Sequence, residues 1–115
     1  VNLDPANLVM CSGDDPVQAV YNLIDYIVHT HAKDGIQKKV VDPRRIYAAG
    51  YYGLEKAPDG CYEEVALGQG KVPWPQYIAA LKDIGFDGYL TIEREVGEDP
   101  FADIKLAADF LKTQI

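Results

Sequence analysis

WPQYIAALKDIGFDGYLTIERE, residues 74–95, holds one helix, one turn and one strand in an order that decides the fold. Pro75 suits a first helical position, and Tyr77, Ile78, Leu81 and Ile84 recur at helical spacing until Gly85 ends the run. The spacing predicts a helix over 75–84. After a turn at Asp87 and Gly88, YLTIE alternates polar and apolar residues as a strand does, and it finishes on Glu93, Arg94 and Glu95.

The same order repeats on either side. Upstream, IVHTH (27–31) is a β-branched, alternating run that reads as a strand with its polar side chains on one face, closed by Lys33, Asp34 and Gly35. Before it, Asp15 and Pro16 give a cap and a first helical residue, with Gln18 placed as in a capping box. Val17, Val20, Tyr21, Ile24 and Ile27 then share one helical face, which predicts a helix over 16–26. VNLD (1–4) reads as the tail of a further strand. Downstream, Asp99 and Pro100 repeat the cap signal, and Ile104, Ala107, Ala108 and Leu111 mark a last helical face.

Strand and helix therefore alternate three times, which implies an α/β fold of parallel strands joined by right-handed crossovers. Three such strands leave two open edges, so the sheet is expected to be completed by further strands of a larger barrel or by other copies of the chain. One domain over 1–115 is expected, interrupted by a long connection at about 36–72. That connection keeps no sustained period, is punctuated by Gly and Pro, and contains YAAGYYG (47–53). Connections longer than about 15 residues are commonly functional or disordered.

The 115 residues are 48% hydrophobic and 25% charged, as in an ordinary globular protein. Apolar runs last only a few residues against the roughly 20 needed to cross a bilayer, and no leader pattern is read, so a cytoplasmic protein without a membrane partner is expected. Eighteen acidic against eleven basic residues give a net charge of −7, which repels phosphate backbones and argues against nucleic acid. Cys11 and Cys61 lack the spacing of a thiolate metal site and are expected to be free, buried thiols.

All three strands end in acids or imidazoles: Asp4 on the first, His29 and His31 on the second, Glu93 and Glu95 on the third. In a parallel α/β fold these ends point to the side where active sites are built. Carboxylate and imidazole ligands arriving there suit one divalent ion, Mn, Co, Mg or Zn. Each residue also has a plainer reading. Asp4 before Pro5 suits a turn, either histidine suits a structural role, and Arg94 suits a surface charge pair. Lys33 suits a solvated loop, LGQGKVPW (67–74) a turn leading into a helix, and Trp74 either a pocket wall or helix packing. Tyr47, Tyr51 and Tyr52 are placed to cover a bound molecule or to meet a partner subunit.

VNLDPANLV (1–9), IVHTHAKD (27–34), LGQGKVPWPQYIAALKDIGFDGYLTIERE (67–95) and GEDPFADIKLAADFL (97–111) together resemble the sugar-phosphate isomerase/epimerase family of xylose-isomerase-like TIM barrels. The match implies strands six to eight of a (β/α)8 barrel with their helices. In metal-dependent members of that family a Glu, an Asp, a His and a Glu from strands five to eight bind one divalent ion. By motif, Asp4, His31 and Glu93 take the last three of these positions. The resemblance then implies proton transfer next to a carbonyl of a sugar or sugar phosphate, with Glu93 as ligand and acid/base group and Lys33 polarising a substrate oxygen or binding an anionic group. A fourth ligand and second acid/base group would come from the missing N-terminal part of the barrel, so the isolated chain is expected to show weak or no activity. Where related epimerases carry a His three residues after the metal Asp, this sequence has Asn7. Two other expectations stand beside this one: a metal-free binding or assembly module, and an apurinic endonuclease-like hydrolase, which needs more histidines than the two present and a basic surface.

Overall fold

A computed structural model describes all residues, Val1–Ile115. Three strands, β1 (Asn2–Leu3), β2 (His29–Ala32) and a third, Leu90–Ile92, form one parallel sheet in which the His29–Ala32 strand is central. Asn2 pairs with His29 and Leu3 with Thr30 on one side; Thr30, His31 and Ala32 pair with Leu90, Thr91 and Ile92 on the other. Side chains alternate across a strand. Leu3, Thr30 and Ala32 are thus buried against the helices, while Asn2, His29, His31 and Thr91 share the opposite, polar face.

The helices carry part of the apolar stripes read from the sequence: Val20, Tyr77, Ile78, Leu81, Ala107 and Leu111 are buried, while Tyr21, Ile24 and Ile104 are exposed and Ile24 and Ile27 lie beyond the end of the helix expected over 16–26. After a short turn of helix, α1 (Pro5–Asn7), a π-helical turn over Leu8–Ser12 leads into α2 (Pro16–Asn22), capped by the Asp15 carboxylate on the Val17 and Gln18 amides. This helix stops four residues before the expected Tyr26. Leu23–Tyr26 forms a turn instead, because the backbone is drawn to the first strand: the Val1 amino group bonds the Tyr26 carbonyl at 2.6 Å, and the Val28 amide bonds the Val1 carbonyl at 3.0 Å. The helix expected at 75–84 spans Trp74–Asp83, and that expected after Pro100 spans Pro100–Gln114. Val20, Trp74, Tyr77, Ile78, Leu81 and Leu111 close the core with Leu3 and Ala32. Phe101, Ile104 and Leu106 of the last helix remain exposed.

The stretch at 36–72 differs most from expectation. β3 (Asp34–Gln37) follows β2 after a single residue and pairs antiparallel with β4 (Tyr62–Val65), with α3 (Arg44–Tyr47) between them. Numbered in order, the Trp74–Asp83 helix is α4, the Leu90–Ile92 strand β5 and the Pro100–Gln114 helix α5. Asp34 and Gly35, expected to close the preceding strand, therefore open a new one. Gly35 suits this close approach: a Cβ would lie 2.5 Å from the Met10 sulfur and 3.0 Å from the Glu63 carbonyl oxygen, so a larger residue would make the Met10 side chain move.

Candidate metal centre

Asp4, directly after β1, uses its two carboxylate oxygens differently. Oδ1 caps α1, accepting from the Ala6 amide at 2.9 Å and the Asn7 amide at 3.1 Å. Oδ2 is buried with no hydrogen-bond partner and lies 3.5 Å from His31 Nδ1. Turn former and candidate ligand are thus both true of one residue. His31 Nδ1 also lies 3.4 Å from Glu93 Oε2, just beyond β5. One ligand atom from each of Asp4, His31 and Glu93 falls within 4.8 Å of the others.

A buried carboxylate oxygen without a donor is costly unless a cation or proton meets it. The donor set, two carboxylates and one imidazole, is suited to a divalent ion, so these residues fit such an ion. Asn2 sets the imidazole: its amide nitrogen lies 3.1 Å from His31 Nε2. As placed, that amide donates to Nε2 and the ring hydrogen sits on Nδ1, facing Asp4 and Glu93; Nδ1 offers a lone pair to an ion in the other tautomer, which the Asn2 side-chain oxygen would hold if the amide turned over. His29 points to the same sheet face but is engaged by the Thr91 hydroxyl at 2.9 Å, a structural role.

Lys33 is no solvated loop lysine. Its side chain is 3% exposed and its ammonium meets Glu93 Oε2 at 3.1 Å, Glu64 Oε2 at 3.4 Å and the Glu95 carboxylate. Burial on its own would lower the pKa of this ammonium, but hydrogen bonds to Glu95 and Glu93 and the Glu64 charge outweigh it, leaving it above the ordinary lysine range. Arg94, read as a surface partner, is instead mostly buried, bonding Glu64 Oε1 at 3.0 Å and Asp103 of α5 at 2.7 Å. Together these groups line an open cleft of about 780 Å³ that also takes in Asn7, Cys11 and Tyr47. Tyr51 and Tyr52 stack edge to face on each other away from it.

Two further residues, Asp34 and Glu64, hold the surroundings of the site, and the sequence marked neither as doing so. Asp34 is buried and accepts from the amides of Gly35, Gly68, Gly70 and Val72 and from the Trp74 indole, at 2.9–3.1 Å. LGQGKVPW is accordingly a backbone cradle around a carboxylate of the protein itself, and Trp74 packs against Tyr77 and Phe110 rather than walling the cleft. Glu64, on β4, bridges Lys33 and Arg94. YEEV, apolar only at its two ends, shows neither the alternation of a strand nor a helical stripe, so nothing local marks it.

A family model for the xylose isomerase-like TIM barrel matches residues 1–114. The chain is 29% identical over 123 residues to the uncharacterized protein YfiH of Bacillus subtilis (strain 168), covering 100% of this chain and 37% of that protein. It is 29% identical over 97 residues to an inosose dehydratase of Clostridium perfringens (strain 13 / Type A), covering 84% of this chain and 30% of that one. The crystal structure of a xylose isomerase domain protein from Planctomyces limnophilus superposes with a TM-score of 0.73 at 30% identity, over 99% of this chain and 36% of that chain. The chain therefore spans about a third of the length of the proteins it matches.

Proposed function

The chain belongs to the xylose isomerase-like TIM-barrel family, and on that premise we propose that the barrel it helps to form is a metal-dependent isomerase or epimerase of a sugar, a sugar phosphate or a related polyol-derived ketone. The observation that carries this reading is the Asp4 Oδ2 atom, buried without a partner beside His31 Nδ1 and Glu93. Asp4, His31 and Glu93 hold one divalent ion, Mn, Co, Mg or Zn, with a fourth ligand from elsewhere in the barrel. When bound, such an ion polarises adjacent substrate oxygens and acidifies the carbon between them.

Glu93 stands at the edge of the cleft, a third exposed, and exchanges the substrate proton with an acid/base group on the opposite face of the substrate. Lys33 is enclosed by Glu64, Glu93 and Glu95 and touches Glu93 at one carboxylate oxygen. Both cations of the cleft, Lys33 and Arg94, are engaged by Glu64, Glu93, Glu95 and Asp103, which favours an uncharged sugar over a phosphorylated one in this part of the site. The same carboxylates disfavour a phosphodiester substrate.

The test is solvent exchange. Incubated with Mn²⁺ and a ketose in deuterium oxide, the protein carrying the whole barrel is expected to place deuterium next to the carbonyl, and Glu93→Gln is expected to lower that rate by about 100-fold or more. One relative is an inosose dehydratase; loss of water from a keto-polyol begins with the same proton abstraction, so a keto-polyol belongs among the substrates tried. Exchange at equal rates in the wild type and in Glu93→Gln contradicts the proposal.

A further inference from the structure

Glu64 lies outside the candidate ligand set, yet it is the most enclosed carboxylate around Lys33. Its side chain is 6% exposed, against 63% for Glu95. Glu64 Oε2 faces the Lys33 ammonium at 3.4 Å, while Oε1 accepts from Arg94 Nη1 and from the Glu95 amide, both at 3.0 Å. Gly35 pairs with Glu64 across the hairpin, so the β3–β4 ladder holds this side chain over the segment that carries Glu93.

The Lys33 ammonium is a fixed positive charge 3.1 Å from Glu93 Oε2, an oxygen that also faces His31. Such a charge competes with a metal ion for that oxygen and repels the ion through a poorly screened medium. A solvated carboxylate such as Glu95 offsets it weakly, whereas a buried one offsets it strongly. We infer that Glu64 is a positioning residue for the metal centre: it takes up the charge of Lys33, and so leaves Glu93 able to turn to a divalent ion with Asp4 and His31. This rests on the ligand reading above.

The experiment measures the Mn²⁺ dissociation constant by calorimetry, with thermal melting alongside, on the protein carrying the whole barrel and on its Asp4→Asn, Glu64→Gln, Lys33→Met and Lys33→Met/Glu64→Gln variants. The side-chain amide introduced by Glu64→Gln keeps an acceptor for Arg94 and for the Glu95 amide, and Arg94 keeps Asp103 as a charge partner, so the main loss is the carboxylate facing Lys33. Expected is binding weaker by about 10–100-fold in Glu64→Gln, as for other groups behind a ligand. Lys33→Met binds at least as tightly as wild type, and the double variant returns to within about threefold of it, the coupling expected of two charges that act on each other. Unchanged affinity in Glu64→Gln, or a double variant as weak as Glu64→Gln, overturns the inference, the second outcome assigning Glu64 to hairpin structure alone. If Glu64→Gln does not fold, Lys33→Met and the double variant decide: a tenfold difference between them overturns it. Wild type and Asp4→Asn binding Mn²⁺ equally well overturns the ligand reading, and this inference with it.

Discussion

Asp4 shows how one side chain serves fold and site at once, since a carboxylate has two oxygens and a helix cap needs one. Asp4→Asn keeps an oxygen for the Ala6 and Asn7 amides but removes the anionic Oδ2, so stability is expected to hold while Mn²⁺ affinity falls by more than about 100-fold, beyond the loss typical of a residue behind a ligand. Asp4→Ala removes the cap as well and is expected to cost a further 1 kcal/mol or so in urea unfolding. Equal Mn²⁺ affinities for Asp4→Asn and wild type would refute the assignment. Tyr77 is the opposite case, fully buried with a hydroxyl that has no partner, its phenol pushed above the ordinary range by burial and by the Asp4 charge. Tyr77→Phe is expected to change stability by less than about 1 kcal/mol, and a loss beyond about 2 kcal/mol would show that the hydroxyl is bonded. Burial likewise pushes the Cys11 thiol up, with the Tyr47 hydroxyl opposing more weakly. Being enclosed and un-ionised at neutral pH, it is expected to resist a disulfide reagent until urea unfolds the chain; rapid native-state labelling at Cys11 would contradict this. That Asp4, His31 and Glu93 come close together follows from their places at the ends of parallel strands, whereas the choice of His31 over His29 and of Glu93 over Glu95 rested on the family resemblance. The surroundings of Lys33 carried no local signal, since Glu93 and Glu95 reach it from 60 and 62 residues away and Glu64 from the far side of the β3–β4 connection.

At the scale of elements, local pattern and long-range pairing parted company. α4 and α5 appear within a residue of their expected starts, because a Pro, a cap and a 3.6-residue stripe are all local signals. The β3–β4 ribbon was hidden, since it joins Gln37 to Tyr62 across a Gly- and Pro-rich stretch and each strand has only four residues. Asp34 binds this ribbon to the start of α4. Four backbone amides and one indole point at its carboxylate, and a Cβ at Gly70 would run into that carboxylate. Asp34→Ala leaves those donors buried without an acceptor and is expected to cost at least about 3 kcal/mol by urea denaturation. A cost under about 1 kcal/mol would mean that the cradle is not what holds residues 66–74.

Across the whole molecule, three parallel strands present an apolar face to their helices and a polar face, Asn2, His29, His31 and Thr91, to the other side. A closed barrel encloses such a face, which is why strand-end ligands are better ordered by a complete ring of strands than by three. The 115-residue chain by itself is therefore expected to turn over a ketose at least about 100-fold more slowly than the protein carrying the whole barrel; equal rates in a steady-state assay would contradict that. The acidic cleft and net charge of −7 agree in drawing cations towards the strand ends. The most direct test of the central claim is anomalous diffraction from Mn²⁺-loaded crystals of the protein carrying the whole barrel. One peak about 2.0–2.3 Å from an Asp4 oxygen, a His31 ring nitrogen and a Glu93 oxygen is predicted. A peak bound elsewhere, with these three side chains left as they stand here, would contradict it.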